Sequence, residues 1–471
     1  MSNDPMRIHL SLVSHTNIGK TTLARTLLGR DIGEVADRAH VTETTDDYVL
    51  ARTPEGCELI LWDTPGFGNS VALAKRLEGR ANPVGWFLSE VWDRVANKSL
   101  WLNHKALKHV KETSSVVLYL VNATELPDSA PYVTAEMRIL EWIGKPVIVL
   151  LNQMGEPKPP EAEQADVDRW TNAMSVYPIV SSVLPMDAFA RCWVQEFALF
   201  DAIAKALPEE LQATFEALRE VWSRKRRAAY SASIQAITHY LEKLANDRVV
   251  AESVSIREQL RFLVKRLGLF KNETISDPIG AAQTALASRA ADEFCTLTDK
   301  LIAVNSLKGT GIRKELLRRL QTDWKITSSV HPTPAAIAGA ISTGAVSGLT
   351  TDLASGGFSM GVGTLIGTVA GAIGGASLAI AYNRQKAING TVITWSKGAM
   401  YNFAIDSMIL YLAVAHYGRG RGKWKESEYP KHWKTTIENI YSESLASSVT
   451  IQRSIDLTLQ KILDPYKQAN L

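Results

Sequence analysis

Apolar and polar positions along the first 206 residues alternate between two textures. Short β-branched runs at Arg7–Val13, Tyr48–Arg52, Leu59–Trp62, Val116–Val121, Val147–Leu151 and Ile179–Val180 predict strands, and helix-spaced stretches separate them. Near-continuous apolar runs of this kind belong to strands covered on both faces. The pattern therefore predicts an α/β fold with a mostly parallel sheet and helices on both sides. The interval from Gly66 to Ser115 is long for a connection and rich in Trp and Leu. It predicts a helical insertion over 67–114, with Trp86, Trp92 and Trp101 as core residues.

From Pro208 the period changes. Proline in a first turn with Glu209 and Glu210 beside it marks a helix start, because carboxylates complement the positive end of the helix dipole. Leu211, Phe215, Leu218 and Trp222, then Ile234, Ile237, Leu241 and Leu244, keep helical spacing. Further helical patterns lie near 253–268, 279–306, 311–324 and 430–463, and no strand is predicted beyond 207. The expected layout is an α/β domain over 1–206, a helical domain over 207–330, a Gly/Ala-rich hydrophobic hairpin over 331–384 and a helical region over 385–471.

Composition narrows the class without naming a function. The 471 residues are 46% hydrophobic and 21% charged, ordinary values that exclude a disordered or collagenous chain. Lys+Arg 52 against Asp+Glu 49 leaves a net charge of +3, so nucleic acid is not an expected partner. Cys57, Cys192 and Cys295 are few and far apart, which predicts neither disulfides nor a zinc site and fits a reducing compartment. The opening MSNDPMRIHLSL has no basic segment before a long apolar run, so no secretory signal is expected.

Chemistry concentrates at the strand ends. Ser14-His15-Thr16-Asn17-Ile18-Gly19-Lys20-Thr21 follows the first strand and opens a helix, matching GxxxxGK[ST] except at Ser14. Successive amides of such a loop surround phosphates, Lys20 adds charge toward the β and γ groups, and Thr21 offers a Mg²⁺ ligand. Ser14, Asn17, Ile18, Gly19 and Thr22 complete the nucleotide-binding set. Leu59–Trp62 then runs into Asp63-Thr64-Pro65-Gly66, a DxxG whose Asp supports the metal and whose Gly amide meets a γ-phosphate. Thr42-Glu43-Thr44-Thr45-Asp46 lies between the two motifs, with Thr45 placed to close over the metal. Lys20, Thr45 and Gly66 are the candidate catalytic groups, and Thr21, Thr45 and Asp63 the candidate Mg²⁺ ligands.

With Asn152-Gln153-Met154-Gly155 at the end of the fifth strand, these motifs resemble the Era/TrmE group of P-loop GTPases. The segments NPVGWFL (82–88), DAFARCWVQE (187–196) and AVAHYGRGRG (413–422) resemble a bacterial group in which such a domain precedes a C-terminal region of unknown function. The resemblance implies GTP and GDP as ligands, Mg²⁺ as cofactor, and Asn152 and Gln153 beside the base. It also implies that Asn17 could hold a K⁺ ion beside the phosphates. Two departures matter. The Asp of N-K-x-D is Gly155 here, which removes a carboxylate that pairs two base donors and leaves GTP or a relaxed specificity open, with Glu125, Asp128 and Glu156 as substitute acceptors. Phe67 stands where some GTPases carry a water-orienting Gln, so hydrolysis should be slow without an activator.

Pro332 to Asn383 carries one charge, Asp352, and 11 of the 30 glycines. Its halves, 332–351 and 353–383, reach the roughly 20 residues of a bilayer-crossing helix, and glycine pairs such as Gly363/Gly367 let helices approach closely. Basic residues flank both ends, which predicts that both stay cytoplasmic. A buried Ala/Gly hairpin is the competing reading. The mean hydropathy of −0.05 conceals this segment. The expected function is a GTPase whose nucleotide state switches a helical, membrane-associated effector region at the cytoplasmic face of the inner membrane. Expected partners are guanine nucleotide, membrane lipid and a protein effector or activator. The alternatives are a nucleotide-binding scaffold with little hydrolysis and a soluble RNA- or ribosome-assembly GTPase.

Overall fold

The computed structural model describes residues 5–28, 46–90, 98–154, 160–186, 195–251, 278–305, 307, 382–387, 390–415, 432–445 and 449–468. The first unit is a six-stranded sheet in the order β2-β3-β1-β4-β5-β6. Its strands are β1 (Arg7–Ser14), β2 (Asp46–Arg52), β3 (Glu58–Asp63), β4 (Val116–Asn122), β5 (Val147–Asn152) and β6 (Val180–Pro185). All neighbours run parallel except the edge strand β2, which is antiparallel to β3. Every predicted strand is present.

Side-chain alternation feeds two cores. On β4 and β5, Val116, Leu118, Leu120, Ile148 and Leu150 face a core containing α1 (Lys20–Leu28) and α7 (Gln195–Ala206). Val117, Tyr119, Val121, Val147, Val149 and Leu151 face the opposite core. That second face is covered by α2 (Ser70–Leu77), α3 (Pro83–Ser89), α4 (Lys98–Glu112), α5 (Pro131–Ile143) and α6 (Pro160–Met174). Helices α2, α3 and α4 occupy the interval between β3 and β4. Their tryptophans are a correction to the sequence expectation. Trp86 is only partly buried with the Arg80 guanidinium 3.4 Å over its ring, and Lys105 lies 4.3 Å over Trp101. Trp92 is outside the described residues.

Helix α8 (Glu209–Asn246) is 38 residues long and starts after Pro208, as its sequence signals. At 1.5 Å per residue it extends about 57 Å, and no Gly or Pro interrupts it. Phe215, Leu218 and Trp222 pack with Leu199, Phe200 and Ile203 in the first unit. Ile234, Ile237, Tyr240, Leu241 and Leu244 enter a second core.

That second core also holds α9 (Pro278–Val304), α10 (Lys397–Ala415), α11 (His432–Leu445) and α12 (Ile451–Gln468). The region is predominantly helical, as expected, with one addition. Strands β7 (Arg248–Ala251), β8 (Tyr382–Ala387) and β9 (Gly390–Trp395) form an antiparallel sheet in the order β7-β9-β8. Tyr382 and Asn383, read from sequence as the end of the hairpin, open β8; residues 331–381 of that hairpin lie outside the described residues, as do the patterns at 253–268 and 311–324. The single helix expected over 430–463 is two. Thr450 starts the second, its hydroxyl accepting from the Arg453 amide at 3.3 Å.

Candidate functional site

The sheet order reverses direction beside β1, and in sheets of this kind the crevice outside the strands' carboxyl ends at that point receives ligands. Every described motif residue lies there. The loop after Ser14 turns through Asn17 at φ 65° and Gly19 at φ 97°, the left-handed conformations that let backbone amides face one point. At Gly19 the need for glycine is also steric, because a Cβ would sit 2.6 Å from Asn152 Nδ2. Asn152 is fully buried and donates to the Ile18 carbonyl at 2.6 Å, so the end of β5 holds the loop. Gln153 donates to the Asn17 carbonyl at 3.3 Å. Both base-side candidates therefore bond the loop backbone.

Two opposite charges are buried together. Lys20 is 7% exposed and Asp63 2%. Among the described residues, the Lys20 ammonium's one hydrogen bond is to Ser14 Oγ at 3.1 Å, leaving two donors for an anion. Burial lowers the Lys20 pKa, against Asp63 and Glu136, which hold it up. Burial pushes the Asp63 carboxyl up to about 6, against the pull of Lys20 and the Thr21 hydroxyl. Asp63 Oδ2 accepts from Thr21 Oγ1 at 2.6 Å, while buried Oδ1 has no partner. An unpartnered carboxylate oxygen beside a hydroxyl is a donor set that suits a hard cation such as Mg²⁺. Thr22 is buried on α1, its carbonyl accepting from Thr26. Thr45, Gly155 and Glu156 lie outside the described residues.

Gly66 passes close to the loop. A Cβ there would lie 3.0 Å from Lys20 Nζ and 3.1 Å from Thr16 Cα. Phe67 is fully buried in the core behind the site and its amide donates to the Ser14 carbonyl at 2.9 Å. Of the substitute base acceptors, Glu125 already accepts from Asn122 at 3.1 Å and from Tyr132 at 2.7 Å.

Glu136, Tyr119 and Asn103 join the site from outside the motifs. His15 Nδ1 bonds Glu136 Oε1 at 2.8 Å, and Glu136 Oε2 accepts from the Tyr119 hydroxyl at 2.8 Å. The His15 ring stacks on Tyr132 at 4.5 Å. Fully buried Asn103 bonds the backbone of Gly68. Their one sequence signal is position. Asn103 falls on the stripe of Leu107 and Val110, and Glu136 on that of Val133 and Leu140, so each is a polar residue on a buried helix face.

The fold and the loop geometry define a P-loop nucleotide-binding domain. Residues 9–153 match the family described as a 50S ribosome-binding GTPase, and 305–457 match a domain of unknown function. GTPase Era of Aquifex aeolicus (strain VF5) is 25% identical over 206 residues, covering 43% of this chain and 57% of that protein. The chain thus spans little more than half of the curated relative. A crystal structure of Era with MgGDPNP and nucleotides 1506–1542 of 16S ribosomal RNA aligns at 17% identity and a TM-score of 0.31, covering 62% of this chain and 90% of that one. Residues 9–153 thus match a P-loop GTPase domain family and are similar to Era, and residues 305–457 match a domain of unknown function.

Proposed function

We propose that the chain is a nucleotide-controlled switch: a GTP-hydrolysing domain whose γ-phosphate contacts govern the helical C-terminal region. The observation that carries this is the buried pair of Lys20 and Asp63, one with unused donors and the other with an unused acceptor, beneath a loop of convergent amides. Lys20 and the amides of the loop bind the phosphates, the Gly66 amide meets the γ-phosphate, and Asn152 and Gln153 support the base side. Thr21, Asp63 and Thr45 would hold Mg²⁺, which when bound neutralises charge on the β and γ oxygens. Asn17 is the candidate for a K⁺ ion beside them. Phe67 offers no hydrogen bond to water, so turnover is slow until an activator supplies one.

The packing of α8 supports such a coupling. Residues 42–45 lead into β2, and α8 packs on β2 and β3 before entering the second core. Arg226 of α8 also clamps fully buried Glu196 of α7, at 2.7 and 2.9 Å. The segment 332–381, whose one charge is Asp352, is the proposed anchor to the cytoplasmic face of the inner membrane.

Competition among GTP, ATP and XTP for the full chain tests the site. Guanine nucleotide is expected to win, and Lys20→Ala to weaken binding by roughly 100-fold or more; full affinity in that variant sinks the assignment. Hydrolysis is expected to be faster in KCl than in NaCl, and equal rates remove the K⁺ role. Carbonate extraction separates the membrane reading from the ribosome-assembly reading that the family description favours. The chain is expected to stay with the bilayer; release by carbonate with co-sedimentation on ribosomes would favour the other.

A further inference from the structure

The segment Thr64 to Gly68 is fastened at three points. The Thr64 hydroxyl donates to the Leu12 carbonyl at 2.6 Å and the Phe67 amide to the Ser14 carbonyl at 2.9 Å, tying it to β1. The third fastening comes from the helices between β3 and β4. The Gly68 amide donates to Asn103 Oδ1 at 3.0 Å, and Asn103 Nδ2 donates to the Gly68 carbonyl at 2.8 Å. A side-chain amide carries one donor face and one acceptor, so it can pair with a peptide as another peptide would. Of the remaining side chains only Gln shares this, and it is a methylene longer. Asn103 has no exposure, and Leu102, Ala106, Leu107 and Val110 seat its helix in the core. The latch is therefore fixed in place rather than reaching out from a mobile surface.

Gly66 sits between these fastenings, and the contacts a Cβ would make there with Lys20 and Thr16 leave little slack. An error of a few tenths of an ångström in this stretch would move the Gly66 amide relative to the loop, and hydrogen bonds weaken steeply with geometry. We propose that Asn103 is a positioning residue for the triphosphate-bound state, holding the Gly66 amide where a γ-phosphate is received and making α4 move with that amide. This rests on the GTPase reading. It goes further in naming which residue outside the motifs sets γ-phosphate recognition.

A diphosphate has no γ group, so a residue acting through Gly66 distinguishes the two ligands, whereas one that merely stabilises the fold does not. The test uses the full chain with Asn103→Ala and Asn103→Asp, titrated with fluorescent GTPγS and GDP, with single-turnover GTP hydrolysis alongside. Asn103→Ala is expected to weaken GTPγS binding roughly tenfold and to slow hydrolysis, with GDP affinity within about twofold of wild type. Asn103→Asp keeps the acceptor for the Gly68 amide and is expected to fall between, and it serves as the readout if the alanine variant does not fold. Equal losses for both nucleotides, or no loss for either, overturn the proposal. Wild-type protein binding neither nucleotide would instead overturn the GTPase reading beneath it.

Discussion

Glu136 illustrates how a single buried charge organises the front of the molecule. It has no solvent exposure, and its two oxygens are taken by His15 of the phosphate loop and Tyr119 of β4. Burial, with Glu136 beside it, raises the Tyr119 pKa well above its ordinary value, so the hydroxyl remains a donor throughout the physiological range. Glu136→Leu strands that hydroxyl in the core and frees the His15 ring. The expected loss is about 2–4 kcal/mol in urea unfolding, with Glu136→Gln losing less because it keeps an acceptor. The motif residues were legible from sequence because phosphate chemistry fixes their types and spacing. Glu136 and Asn103 were not, because a polar residue on an apolar stripe reads as a pattern error until its partner, here 121 or 35 residues away, is known. The partly exposed, cation-stacked tryptophans were misjudged for a related reason. Composition gives their size and apolar area, and packing decides how much of it is covered.

Among the elements, α10 carries the sharpest ambiguity. Within the described residues it is the one helix long and apolar enough to cross a membrane, yet 11 of its 19 residues are buried against neighbouring helices. It is the central helix of the second core. Asp406 on this helix is held up to about 7 by burial and by Glu438, with Lys434 opposing. A carboxyl raised in the fold stabilises only while protonated. Its contribution is intact below about pH 4 and is lost as pH rises toward 7. Asp406→Asn should therefore match wild type in unfolding free energy near pH 4 and exceed it at pH 8, by on the order of 4 kcal/mol. A variant less stable at pH 8 would show that the ionised carboxylate is paired. The small sheet escaped sequence reading because β7 is four residues long and directly follows a helix, and β8 is mostly polar. Only β9, with Thr391-Val392-Ile393-Thr394, has a strand's composition, and one such run predicts no sheet without partners.

For the molecule as a whole, α8 makes the two cores share one element. Its first part completes the GTPase-domain core through Phe215, Leu218 and Trp222, and its second part supplies six buried residues to the helical core. Each side chain of this size contributes about 1.5–3 kcal/mol on burial, so the three together approach a domain's typical stability of about 5–15 kcal/mol. A fragment ending at 206 should therefore melt far below one ending at 228, or aggregate, as circular dichroism would record. Equal melting of the two would show that α8 adds nothing to the first core.

The sequence by itself determined the class of the N-terminal domain, the six strands, the start of α8 and the phosphate-binding motifs. All of these are set by local periodicity and by residue types that phosphate and metal chemistry demand. The tertiary structure alone decided which polar residues fasten the site, which apolar helix is a core rather than a span, and that one helix serves both cores. Those outcomes depend on contacts between positions far apart in the chain, and neither hydrophobic period nor motif spacing encodes which distant surfaces meet.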